Sequence, residues 1–275
     1  MIRQPAVAGR FYPSHPGQLA REISGYLAVE PAKPSVPALG CVVPHAGIMY
    51  SGHVAGAVFA QVVIPRRMII LCPNHYGIGQ RLAIHSEGAW RTPLGDAMVD
   101  SDIAERLKRS CPLLREDLDA HSMEHSLEVQ LPFLQQRRND FRFVPIALGT
   151  DRFDAFSDLG RAIADVISAA GPAGTKEDPI LVVASSDMNH YESDAVTRIK
   201  DRKAIDRILA LDARGLYDTV RSEGISMCGY GPTTTMLVAA CALGATRAEL
   251  VRYATSADVS GDTDRVVGYA GIVVA

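Results

Sequence analysis

Little in the sequence points to a membrane, a nucleic acid or an oxidising compartment. No apolar run approaches the roughly 18 residues needed to span a bilayer. The opening Met1-Ile2-Arg3-Gln4-Pro5 lacks the apolar stretch of a signal peptide, and Pro13 and Pro16 soon follow. Basic residues form no stripe: 28 Lys and Arg stand against 31 Asp and Glu, for a formal net charge of −3. Nothing in that balance asks for nucleic acid or an anionic lipid surface. The five cysteines (Cys41, Cys72, Cys111, Cys228 and Cys241) include no CxxC pair and are odd in number. That is reduced usage rather than a disulfide framework. Internal repeats and low-complexity tracts are missing too. The expectation is a cytoplasmic protein that binds a small molecule, with neither nucleic acid nor membrane as partner.

What is present is an ordinary globular composition, 47% hydrophobic and 21% charged over 275 residues, enough for a sizeable core. Short apolar runs read as strands at Leu39–Val43, Met68–Cys72, Leu82–Ile84, Phe141–Leu148, Ile180–Ala184, Glu249–Ala254 and Val266–Val274. Helical periodicity marks Val54–Val63, Asp102–Arg109, Leu127–Arg137, Phe153–Ala169, Ala195–Leu211 and Thr233–Leu243. Strand-then-helix alternation predicts an α/β fold in three layers, α/β/α, around a largely parallel or mixed sheet. The segment from Gly171 to Asp178 has the composition of an exposed loop. The same rhythm continues beyond it, so residues 1–275 are expected to form one domain.

Three of the apolar runs end alike. Cys41-Val42-Val43 leads into Pro44-His45-Ala46-Gly47, Ile69-Ile70-Leu71-Cys72 into Pro73-Asn74-His75-Tyr76-Gly77, and Leu181-Val182-Val183-Ala184 into Ser185-Ser186-Asp187-Met188-Asn189-His190. In open α/β sheets functional groups gather where strands end. Parallel strands would bring His45, His75, Asp187 and His190 to one edge. Proline before each of the first two histidines stops the strand, and glycine after it lets backbone approach the site. A lone histidine after a strand is more often a satisfied loop residue; matched settings at three strand ends point instead to a shared metal or catalytic site.

Cys228, in Ser226-Met227-Cys228-Gly229-Tyr230-Gly231-Pro232, precedes an expected helix start. There a thiol has a lowered pKa and can bind metal as thiolate; the competing reading is a small buried residue in a tight turn. Glu124-His125-Ser126 opens the stripe Leu127, Leu131, Leu134. Glu124 reads as ordinary complementarity to a helix dipole, and His125 as a cap or a donor aimed into a cleft. His15, His53, His85 and His121 have no such setting and read as structural or solvated.

Together these motifs resemble the Memo family, whose bacterial and archaeal members are known as AmmeMemoRadiSam system protein B. The resemblance runs through Ala8-Gly9-Arg10-Phe11-Tyr12-Pro13, Pro44-His45-Ala46-Gly47, Pro73-Asn74-His75, Arg91-Thr92-Pro93-Leu94, Glu124-His125-Ser126, Ser185-Ser186-Asp187-x-x-His190 and Cys228-Gly229. The family is similar in structure to class III extradiol dioxygenases, which hold Fe(II) with two histidines and a glutamate. The resemblance implies metal ligation by His45, His75 and Cys228, the cysteine standing where the dioxygenases carry their carboxylate. It puts His190 at the acid/base position and His125 at a histidine behind the ligands; Asp187 is a second catalytic candidate or a further ligand. Tyr76 stands where other members carry a second histidine.

The resemblance implies one transition-metal ion, Fe(II) first, while a thiolate softens the ligand set and brings in Cu or Zn as alternatives. The expected function is a metal-dependent, dioxygenase-like redox enzyme acting on an unknown small molecule. The alternatives are a non-catalytic metal- or peptide-binding signalling module and a zinc hydrolase. The family label further implies association with a radical-SAM enzyme and a small companion protein.

Overall fold

The computed structural model describes residues 1–29, 34–170 and 179–275; the loop expected from Gly171 to Asp178 lies outside them. The strands in chain order are β1 (Ile2–Arg3), β2 (Gly40–Val43), β3 (Arg67–Pro73), β4 (Leu82–Ile84), β5 (Ala89–Thr92) and β6 (Gly95–Val99). They continue with β7 (Arg115–Glu116), β8 (Arg142–Leu148), β9 (Ile180–Ser185), β10 (His190–Glu192), β11 (Ala248–Thr255) and β12 (Val266–Val274). All join one mixed sheet, with β1-β5-β6-β8-β3-β9-β2-β12-β10 in spatial order and β11 paired to β12.

The centre, β8-β3-β9-β2, is parallel. A parallel centre is covered on both faces, and the side-chain alternation shows it. On one face Val42, Ile69, Leu71, Val144, Val182 and Ala184 enter one core cluster. On the other Cys41, Val43, Met68, Ile70, Leu181 and Val183 enter the second. The helices α1 (Pro16–Leu27), α2 (Ile48–Gln61), α3 (Ser101–Ser110) and α4 (Asp119–Ser122) precede α5 (Leu131–Arg137) and α6 (Phe153–Ala169). Then follow α7 (Asp194–Leu209), α8 (Ala213–Ser222), α9 (Tyr230–Ala242) and the short α10 (Ala257–Ser260). Residues of α1, α2 and α5 pack on one face, and those of α3, α6, α8 and α9 on the other. This is the expected α/β arrangement. Among the described residues no helix is long and apolar enough to cross a membrane.

Among the helices expected from the sequence, two differ most, each for a local reason. α2 begins at Ile48, six residues before Val54. Its Gly52 and Gly56 weaken the helical pattern, yet a Cβ on Gly52 would stand 2.6 Å from the Tyr26 ring and one on Gly56 would strike the Tyr26 carbonyl. Glycine here lets α1 lie close against α2. The stretch expected as one helix over Leu127–Arg137 is split into a 3-10 turn, Glu128–Gln130, and α5. Pro132, in the first turn of α5, has no N–H with which to continue an α-helical ladder through that point.

Candidate metal centre

His45 follows β2, His75 follows β3 and Asp187 follows β9, all at the carboxyl edge of the parallel strands. His125 comes from the loop before the Glu128–Gln130 turn, and Cys228 from the turn ahead of α9. One donor atom from each of His45, His75 and His125 lies within 4.8 Å of the others, a group that could hold a metal ion. Cys228 stands outside that mutual group but beside it, its Sγ 3.3 Å from His45 Nε2. Gly229 makes this approach feasible: a Cβ there would strike the Ser185 carbonyl and the Ser186 side chain.

The hydrogen bonds fix which ring nitrogen faces inward. Ser185 Oγ donates its single proton to the Ser126 carbonyl at 2.6 Å and accepts from Gln130 Nε2 at 2.9 Å. Its contact with His45 Nδ1, 2.9 Å away, must therefore be donated by the ring. His45 is thus the Nδ1–H tautomer, with the Nε2 lone pair turned toward Cys228. His75 Nδ1 donates to Glu124 Oε1 at 2.9 Å, which leaves its Nε2 free in the same way. A metal-ligating histidine is typically held like this, its second nitrogen donating to a carboxylate or another acceptor.

Glu124 is the residue the sequence reading passed over. It is fully buried and accepts from the His75 N–H at 2.7 Å, the Ser126 N–H at 2.9 Å and the Ser126 hydroxyl at 2.6 Å. Burial opposes its ionisation, but these donors and the His75 ring hold its carboxyl down at about 2. In turn, burial works against a charged His75, and the bond to Glu124 outweighs it, so the pKa of that ring is raised. A signal was available: Glu124, Glu128 and Gln130 sit among Leu127, Val129 and Leu131 with no solvent-facing side. All six are buried, and charge is rarely buried unless it has partners. Glu124→Gln should weaken metal binding about 10–100-fold, measured by competition with a chromophoric chelator. Unchanged affinity would show that Glu124 does not orient a ligand.

Burial and the neighbouring His75, His125 and His190 push the pKa of His45 well down. Burial also brings His125 to about 4. Both rings are therefore neutral donors at physiological pH. Cys228 departs from expectation. Burial, followed by the charge of Asp187, pushes its thiol well up despite the following helix. A bound cation inverts that balance by deprotonating a coordinating thiol. Asp187 is buried too, which raises its pKa. Its Oδ1 accepts from the His45 N–H at 2.7 Å, and its Oδ2 is 4.0 Å from His45 Nε2.

His190 begins β10, beside a bulge in the pairing with β12. Its Nδ1 is 2.9 Å from the Ser226 backbone carbonyl; a carbonyl only accepts, so Nδ1 carries the proton and Nε2 is left as an acceptor. His45, His75, His125, Asp187, His190 and Cys228 all line one open cavity of about 810 Å³. Phe11, Tyr50, Tyr191 and Tyr269 supply aromatic wall. His85 and His121, read as structural or solvated, are both buried beside Trp90.

The fold and this cluster define an α/β protein whose sheet edge gathers histidines able to hold a metal ion. A profile of Memo-like proteins matches residues 3–273, and the chain belongs to that family. A MEMO1 family protein of Methanopyrus kandleri is 44% identical over 285 residues, covering 99% of each chain. One from Methanothermobacter thermautotrophicus is 40% identical over 280 residues, covering 98% of this chain and 99% of that one. An uncharacterised Escherichia coli K12 protein of known structure superposes with a TM-score of 0.55 at 12% identity, over 85% of this chain and 98% of that one. That likeness concerns the fold alone.

Proposed function

We propose that this protein is a metal-dependent enzyme of redox type, acting on a small molecule in the cavity beside the histidines. The observation that carries the reading is the pair of fixed tautomers. His45 and His75 both spend Nδ1–H on protein acceptors, which leaves each Nε2 lone pair for a metal. Cys228 Sγ is the third ligand in this reading. Its 3.3 Å separation from His45 Nε2 lets both donors reach a single ion through bonds of ~2.0–2.3 Å. His125 supports from the side, its ring stacked on His75 with centroids 4.8 Å apart.

The family's resemblance to iron dioxygenases favours Fe(II), while a thiolate beside two imidazoles makes Cu and Zn the competing ions. The bound ion would supply Lewis-acid polarisation and one-electron chemistry. The protein's part is to seat the substrate among Phe11, Tyr50 and Tyr191 and to remove a proton. His190 Nε2 accepts that proton, and the Ser226 carbonyl steadies the imidazolium through Nδ1–H. Asp187, held by the His45 N–H, lines the same cavity.

Anaerobic purification with elemental analysis, followed by oxygen uptake against a panel of catechols, tests this reading. Iron with substrate-dependent oxygen uptake supports it. Tight, redox-silent zinc would move the assignment to a hydrolase, and function retained after metal stripping to a non-catalytic module. Loading with Co(II) addresses Cys228 directly. The wild type should show a near-ultraviolet sulfur-to-cobalt charge-transfer band that Cys228→Ser lacks. A histidine-only spectrum in both proteins would transfer the third position to His125.

A further inference from the structure

The motif Ala8-Gly9-Arg10-Phe11-Tyr12-Pro13 contributes no metal donor, yet the N-terminal chain grips the centre from behind. Arg3 is buried, its guanidinium 4.1 Å from the centroid of the Trp90 ring. Its Nε donates to the His121 carbonyl at 2.8 Å and its Nη2 to the Glu124 carbonyl at 2.8 Å, while Nη1 pairs with Glu128. Glu128 is fully buried. It also accepts from the N–H groups of Ala6 at 2.8 Å and Val7 at 3.1 Å, and from the Tyr12 hydroxyl at 2.5 Å. Phe11 is thereby held edge-on to His125, centroids 4.7 Å apart. Its carbonyl accepts from the Ile48 N–H at 2.8 Å, three residues beyond His45.

We propose that Arg3 is a positioning residue for the metal centre, setting the peptide of Glu124 and, through that carboxylate, the ring of His75. The proposal rests on the metal-binding reading above. The reason lies in the geometry of the fork. Besides the Gln4 carbonyl at 3.3 Å, two backbone carbonyls and one carboxylate of the His121–Glu128 segment receive N–H bonds from this single planar group. That segment is therefore fixed in orientation as well as in place. Lysine would keep the charge opposite Glu128 but cannot reproduce three such directions. Glu124 bonds to His75 through both backbone and ring, so rotation of its peptide must tilt that imidazole.

The test compares Arg3→Lys with Arg67→Lys. Arg67 makes an equivalent paired contact, with Asp100 at 2.6 Å and Asp102 at 3.2 Å, but stands at the start of β3, the end remote from the centre. Both variants should lower Tm. Only Arg3→Lys should also weaken Co(II) affinity, by about 10-fold, in chelator competition well below Tm. A milder variant, Tyr12→Phe, removes one donor to Glu128 without touching a charge and should fall between wild type and Arg3→Lys. A second readout needs no metal: the His75 Nδ1–H proton, followed by NMR in metal-free protein, should exchange faster in Arg3→Lys than in Arg67→Lys. Equal Co(II) affinities and equal exchange rates in the two lysine variants would overturn the proposal. Faster exchange in a protein whose wild type binds no Co(II) would support the clamp while overturning the metal reading.

Discussion

Asp201→Asn should gain stability relative to wild type as pH rises from about 4 to about 7, by about 4 kcal/mol across that window. Asp201 lies fully buried on α7, accepting from the Asn189 N–H at 2.8 Å and the Tyr253 hydroxyl at 2.7 Å. Burial pushes its carboxyl up to about 7, and those two bonds only partly offset the effect. An unfolded aspartate titrates near ~3.9, so between the two values the folded chain keeps a proton that the unfolded chain has lost. The stabilisation is complete below about 4 and disappears as pH climbs through about 7. Asparagine carries no such proton.

His45, His121 and His125 act in the opposite sense. Burial depresses their folded pKa values, so they favour the folded state as pH rises toward ~6.5. The Asp201 effect must therefore be read as the difference between the two proteins. Urea midpoints at several pH values between 4 and 8 would give it. Parallel profiles for wild type and variant would place the proton elsewhere.

His190→Ala should leave bound metal near stoichiometric while turnover of any substrate found by oxygen uptake falls about 10²–10⁴-fold. The ring stands in the cavity wall with Nδ1 committed to the Ser226 carbonyl. The same serine's hydroxyl accepts from the His190 N–H at 2.7 Å. With its backbone N–H and its Nδ1 both held by Ser226, the residue keeps Nε2 for proton transfer. Loss of metal in the variant would mean that His190 is a ligand. Full activity with full metal would mean that no proton passes through it. The pH profile separates a general base from a mere wall, because only a base takes one titration step with it when it is removed.

Three strand ends were legible because each apolar run stops at a proline or a polar cluster. His45, His75 and Asp187 accordingly lie at one sheet edge, as parallel pairing of β2, β3 and β9 requires. Short edge strands such as β1, β7 and β10 were not legible. They span two or three residues, too few for alternation to register, and long-range pairing alone orders them. α1 and α8 were missed although each has a buried apolar stripe, Leu19 and Ile23 in one and Leu216 and Val220 in the other. The helical spacing is present in Leu19, Ile23, Tyr26 and Leu27 and in Leu216, Tyr217 and Val220. Both stretches are short, however, and are interrupted, by Gly17 and Gly25 in the first and by three arginine or aspartate positions in the second. Glu124 was misread because helix-dipole complementarity explains an acidic residue at a helix start just as well. The one hint was the polar set Glu124, Glu128 and Gln130 inside an apolar stretch, and the burial that decides between the roles is a tertiary property. His125 was expected behind the ligands, yet its ring reaches the donor group itself, a distance that no spacing in the sequence encodes.

The donors of this centre come from distant parts of the chain, with Cys228 and His45 separated by 183 positions. Closing so long a loop costs conformational entropy before any contact repays it, which makes such a topology slow to assemble. No local segment gathers all the proposed ligands early: His45, His75 and Cys228 meet only when β2, β3 and the α9 turn have all found their places. A centre built in that order offers little to the folding transition state. An ion bound there would act chiefly on the way out, lowering the unfolding rate while leaving the folding rate nearly unchanged. In this protein the metal would be a measure of lifetime more than a nucleus for folding.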